Sequence, residues 1–187
     1  MKKSFFITAF ISVFIYTSVL AQDKEKKNVS GIRGGWHSAT MVTDGADPFN
    51  GSSLDNFYIG FFNDNKIAPL LHFGKGLEYF QNGAAYTDNT KRVLHTVSVP
   101  LYLKLKLGPV FALGGIAGNF KVNEDYTGHG INPSDSDKSE WFDAPVFLGA
   151  GAKILFVSVE ARYHWGLLEV RDGFKSHYLQ IGAAVSF

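Results

Sequence analysis

The sequence predicts an all-β fold, an eight-stranded antiparallel up-and-down transmembrane β-barrel. Three observations carry that prediction. Apolar and polar residues alternate over stretches much longer than the about 5–6 residues usual for soluble strands, as strands that cross an outer membrane require. Short connections alternate with long polar ones along the chain. The composition is rich in glycine (20) and in aromatics (17 Phe, 8 Tyr, 3 Trp) and contains no cysteine. That mixture favours strands, and it excludes a disulfide scaffold or a thiolate metal site.

The chain opens MKKSFFITAFISVFIYTSVLAQ: two lysines, an uncharged run from Phe5 to Leu20, then Val19 and Ala21 as the small residues of a cleavage site before Gln22. Residues 1–21 read as a cleaved secretory signal. Residues 22–28, QDKEKKN, read as a solvated periplasmic segment ahead of a barrel over 29–187. The chain has 18 basic and 17 acidic residues, a balance that gives no reason to expect a nucleic-acid partner.

The alternation is clearest over 93–107, VLHTVSVPLYLKLKL. Val93, Val97, Val99, Leu101, Leu103, Leu105 and Leu107 share one face with His95, opposite Thr96, Ser98, Tyr102, Lys104 and Lys106. In 155–165, LFVSVEARYHW, Leu155, Val157, Val159 and Ala161 alternate with Ser158, Glu160, Arg162 and His164. Tyr163 and Trp165 close the apolar face, where an interfacial aromatic girdle belongs. Further strands are predicted at 30–43, 55–63, 67–81, 109–121 and 142–152. In 67–81, Lys75 shares the parity of Leu71, Phe73 and Leu77, which implies either a bulge at Gly74 and Gly76 or a snorkelling lysine. Over 109–121 both faces are apolar or small, so the sequence does not say which is which.

The last strand, HYLQIGAAVSF, sets Leu179, Ile181, Ala183, Val185 and Phe187 on one face. A barrel must close because an unpaired edge in lipid has no water to satisfy it, so this strand should pair with the first. Short turns are expected at 63–66, around Gly108-Pro109 and near Lys153. Long loops are expected at 44–54, 82–92, 122–141 and 166–176.

VPLYLKLKLGPVFALGG (99–115), HFGKGLEY (72–79) and VEARYHWGL (159–167) resemble segments of the outer-membrane β-barrel family common in Bacteroidetes, which includes PorT-like proteins. The resemblance implies a barrel in the cell outer membrane and, for the PorT-like members, an accessory role in protein secretion with an envelope protein partner. The C-terminal strand, with Tyr178, Leu179, Ile181, Ala183, Val185 and the final Phe187, in turn resembles the signal that the barrel assembly machinery reads.

The polar parity gathers Arg33, Glu78, Lys104, Lys106, Glu160 and Arg162, with His72 and His164, into the expected lumen. Eight strands enclose only enough room for side chains, so these charges must pair or hold an anion. A general porin is excluded by size. The 122–141 segment holds Glu124, Asp125, His129, Asp135, Asp137 and Glu140, but without the spacing of a calcium loop or of a catalytic triad. It reads as a solvated loop. Phe49, Tyr86 and Trp141-Phe142 read as interface anchors. No cofactor, metal site or catalytic residue is predicted. The expected protein is a non-enzymatic structural or accessory barrel in contact with outer-membrane lipid. Its alternatives are a secretion factor, a barrel-embedded enzyme acting at the loops, and a soluble lipocalin-like barrel with its apolar face inside.

Overall fold

A computed structural model describes residues 28–43, 53–85, 91–127, 140–171 and 174–187. The described elements are β1 (Val29–Thr43), β2 (Leu54–Lys66), β3 (Leu71–Ala85), β4 (Lys91–Leu107), β5 (Val110–Thr127), β6 (Phe142–Asp143), β7 (Pro145–Ile154), β8 (Val157–Arg171) and β9 (Phe174–Ser186). Each pairs antiparallel with its neighbour, and β9 returns to β1 over Gly31↔Ser186 to Thr43↔Phe174, so the sheet closes. β6 and β7 are one wall position. Both pair with β5 in a single register, Asn119↔Asp143 and Ile116↔Val146, interrupted at Ala144 where Pro145 has no N–H to donate. The closed sheet is therefore an eight-stranded barrel.

Alternation decides which face is which. Ile32, Trp36, Phe61, Leu103, Ile116, Leu148, Val159 and Ile181 point outward and are exposed, while Arg33, Phe62, Lys104, Phe147, Glu160 and Gln180 point inward and are buried. Over 110–121, where the sequence is ambiguous, Phe111, Leu113 and Ala117 face the lumen with Asn119, and Val110 and Ile116 face out. The wall is apolar outside and mixed inside. A largely apolar exterior of this kind is unfavourable in water.

At one end the turns are short. Gly108 adopts φ +72° between Leu107 and Val110, a conformation that glycine enters without the Cβ penalty, and Leu155 takes φ 58° in the β7–β8 turn. The β2–β3 turn lies at 67–70, not at 63–66. Ile67 N and Ala68 N donate to Leu71 O at 3.0 Å each, and Leu71 N donates to Ala68 O at 3.2 Å. Pro69 suits the bend, and NDNK stays in β2, with Asp64 pointing inward.

At the other end the strands run further than their apolar patterns. β3 and β4 pair out to Ala85↔Lys91, and β8 meets β9 at Arg171↔Phe174, so most of the expected loops at 82–92 and 166–176 are hairpin arms. β5 likewise continues to Thr127. Backbone pairing does not stop where the apolar belt stops, because the arms keep their hydrogen bonds in water as well. A register shift between His95 and Thr96 places an extra residue at Val122, and Asn123 and Asp125 consequently turn outward. No shift occurs at Lys75. It pairs with Asn63 and Leu101 in the unbroken β3 register and stays on the outward face between Phe73 and Leu77.

Candidate functional site: the lumen

The inward-facing charges meet in one connected cluster. Arg162 on β8 grips Glu78 on β3 with two bonds, Nη1 to Oε1 at 2.8 Å and Nη2 to Oε2 at 3.1 Å. Arg33 on β1 donates to Glu160 Oε1 at 3.0 Å and lies 3.7 Å from Glu78 Oε1. Arg162 Nε lies 3.4 Å from Glu160 Oε1, which closes a square of two bases and two acids. Such forked pairs combine energy with fixed geometry.

Tyr102 on β4 extends the square. Its hydroxyl accepts from Arg33 Nη2 at 2.6 Å and donates to Asp64 Oδ1 at 2.7 Å, and Lys104 Nζ reaches the other Asp64 oxygen at 2.8 Å. Three bases and three acids result, all at 5 % exposure or less. Gly74 makes room for the bridge, because a Cβ there would sit 2.1 Å from the Tyr102 ring. Phe62 and Phe111 lie under the cations of Arg33 and Lys104, each at 4.5 Å from ring centroid.

Five of the six charged residues expected in the lumen are in this cluster. Lys106 is not. It lies half-exposed toward the short-turn end, where the charges acting on it are Asp64, Lys104, Lys153 and Lys66, and among the described residues it makes no ion pair. The sixth member is Asp64, which the sequence reading placed in a turn. Its signal was parity: Tyr58, Gly60 and Phe62 carry the inward face of β2 straight to position 64. Tyr102 was visible on the polar face but without its bridging part.

Beyond the charges, toward the loop end, rings cross the lumen. Phe80, His37, Tyr178, His164 and Phe147 stack in succession with centroids 4.6, 5.0, 4.1 and 4.6 Å apart. Both nitrogens of His37 and His164 and both amide atoms of Gln180 lack aligned hydrogen bonds, although Asn82 lies beside His37 and Gln180 beside His164. His164 was expected on this face. His72 is also buried there, nearer the short turns.

Tyr178 faces inward, its hydroxyl accepting from Asn119 Nδ2 at 3.1 Å, whereas Leu179, Ile181, Ala183, Val185 and Phe187 face outward. On the outer wall Tyr163 and Trp165 pack edge to face at 4.7 Å, and Trp141 and Phe142 cluster with Phe120. Tyr79 OH meets His95 Nδ1 at 2.5 Å and His95 Nε2 meets Asp125 at 2.9 Å. Residues 1–27, Phe49, Tyr86, His129, Asp135 and Asp137 lie outside the described residues, and with them the predicted signal segment.

Solved structures share this fold, the Neisserial surface protein A and Ail among them. The Neisserial surface protein A matches with a TM-score of 0.56 at 14% identity, over 84% of this chain and 97% of its own. Ail, the attachment invasion locus protein of Yersinia pestis, matches with a TM-score of 0.51 at 15% identity, over 86% of this chain and 99% of its own. Ail is an outer-membrane protein. No family model matches the chain, and no curated protein does.

Proposed function

We propose that this chain is a small integral outer-membrane barrel of non-enzymatic, structural or accessory type, whose lumen is closed by its own side chains and whose dealings with other molecules take place at the loop end. The observation that carries this reading is the filled lumen. A neutral cluster of three bases and three acids lies against a stack of five rings, which supports a lumen filled by side chains and argues against an aqueous channel for a solute. The apolar exterior supports lipid contact, and it argues against a lipocalin-like barrel, in which the apolar face is internal. Export by the leader at 1–21 belongs to the same proposal, as does recognition of the outward face of β9 (Leu179, Ile181, Ala183, Val185, Phe187) by the assembly machinery.

The test is to fold the barrel in detergent and place it in planar lipid bilayers. The expected result is a detergent-dependent protein whose gel mobility shifts on boiling and which gives no unitary conductance steps. Discrete steps would overturn the closed lumen. Recovery in the soluble fraction without detergent would overturn the membrane reading.

The narrower reading, an accessory factor in protein secretion, rests on the resemblance of 72–79, 99–115 and 159–167 alone. Crosslinking in intact envelopes, followed by recovery of the barrel with a cargo or partner, would support it. A barrel recovered alone would leave the structural role.

A further inference from the structure

The short turns that close one end of the barrel are apolar. Ile67, Leu70, Ile154, Leu155 and Phe156 are each more than half exposed there. Turns that stand in water are built mainly from Gly, Pro, Asn, Asp and Ser. These side chains instead carry the apolar outer wall out to the tips of the turns, which sets lipid headgroups at the level of the strand ends.

The lumen parity of the same strand ends is basic. Lys66 follows Phe62 and Asp64 on β2, Lys106 follows Tyr102 and Lys104 on β4, and Lys153 follows Phe147 on the inward face of β7. Lys66 and Lys153 both act on the charge of Lys106, so the three gather over one mouth. Asp64 is bonded to Lys104 at 2.8 Å and to Tyr102 at 2.7 Å, and the next acid inward, Glu160, is held by Arg33 and Arg162. Lys153 Nζ donates to a neutral hydroxyl, Ser186 Oγ, at 3.1 Å. Among the described residues none of these three lysines has an ion-pair partner. Four ammonium groups, those of Lys66, Lys104, Lys106 and Lys153, thus stand against the one carboxylate of Asp64. Residues 22–28 set Lys24, Lys26 and Lys27 against Asp23 and Glu25 and bring no net negative charge.

An excess of this sign calls for an anion, and the anion that headgroups supply at this level is a phosphodiester. Lysine suits it, as a point charge on a flexible stem whose methylenes lie along apolar surface. A zwitterionic headgroup would bring its own ammonium to a mouth that is already positive, whereas a net-anionic one does not. We infer that the short-turn mouth binds the phosphate of one net-anionic phospholipid through Lys66, Lys106 and Lys153, with the acyl chains against the apolar turns. The site rests on the membrane reading above and adds a headgroup contact to the wall's contact with hydrocarbon, leaving other partners to the loop end.

The test uses the full-length barrel folded in a neutral detergent. The shift in gel mobility on boiling, read before any lipid is added, tests the membrane reading by itself. Phosphatidylglycerol, phosphatidylcholine and inorganic phosphate are then titrated at matched ionic strength, and native mass spectrometry counts the lipid retained. One phosphatidylglycerol should be held saturably, at least about tenfold more tightly than phosphatidylcholine, and millimolar inorganic phosphate should not displace it. Lys106→Gln should weaken retention about fivefold, and Lys66→Gln, Lys106→Gln and Lys153→Gln together at least about twentyfold. Arginine at the same three positions should preserve it, as should Lys75→Gln on the outer wall. A folded barrel that holds both lipids alike, or whose triple glutamine variant holds phosphatidylglycerol as before, overturns the site. Displacement by inorganic phosphate overturns the lipid and gives the mouth to a soluble anion. An equal loss in Lys75→Gln reduces the effect to general attraction between the wall and anionic lipid. A barrel that retains no lipid but crosslinks through position 155 to an envelope protein gives this surface to a protein partner instead.

Discussion

Toward the short turns, the lumen holds charge answered by charge: Arg33, Lys104 and Arg162 against Asp64, Glu78 and Glu160, with Tyr102 as the bridge. Toward the loops it holds rings, with His37 and His164 as stacking surfaces whose nitrogens go without aligned partners. Both layers fill the same cylinder. In the first, each side chain is fixed by the geometry of its bonds, so removing one member strands another. In the second, shape and area do the filling, and polarity is incidental to it. The two layers should therefore answer opposite kinds of substitution.

The largest effect is expected at Arg162. Arg162→Met leaves Glu78 without its bidentate partner in a buried site, a loss of about 3–5 kcal/mol on denaturant unfolding in detergent. Arg162→Met combined with Glu78→Gln restores neutrality and should recover more than half of that. A double variant as weak as the single one would mean that this layer, like the other, is held by packing. Tyr102→Phe keeps the ring and removes the bridge between Arg33 and Asp64. It should cost about 1.5–3 kcal/mol in the same unfolding series, the range for hydrogen bonds to charged groups. The smallest effect belongs to the rings. His164→Phe exchanges an imidazole without aligned hydrogen bonds for a ring of similar shape and should stay within about 1 kcal/mol of the parent, or exceed it, because little hydrogen bonding is forfeited. A loss above about 2 kcal/mol would show that the imidazole is held by polar contacts after all, and the contrast between the layers would fail.

That contrast also marks where the sequence was readable. Charged residues on an otherwise strict alternation have one place to go, so Arg33, Glu78, Lys104, Glu160 and Arg162 could be assigned to the lumen from parity alone. Asp64 shares the inward parity of β2 but reads as a turn residue, because Asn-Asp-Asn is turn vocabulary while the actual bend is the apolar Ile67–Leu70. The ring layer was hidden for a different reason. Aromatic residues serve both the outer girdle and the lumen, and nothing in Phe80, Phe147 or Tyr178 by itself says which. The register shift beside His95 was equally silent, since the extra residue at Val122 carries no glycine to announce it. Strand order and closure came from pattern length and connection spacing, which depend on many residues at once and survive single errors.

The exact balance of the charged layer has an electrical consequence. A voltage across a membrane does work on net charge, about 2.3 kcal/mol for each elementary charge carried through 100 mV. Three bases and three acids held within 2.6–3.7 Å contacts present no net charge to be carried, and a field can only strain the cluster's dipole. A barrel closed in this way has no gating charge in that layer. Lys66, Lys106 and Lys153, basic side chains outside that cluster, stand at its short-turn rim.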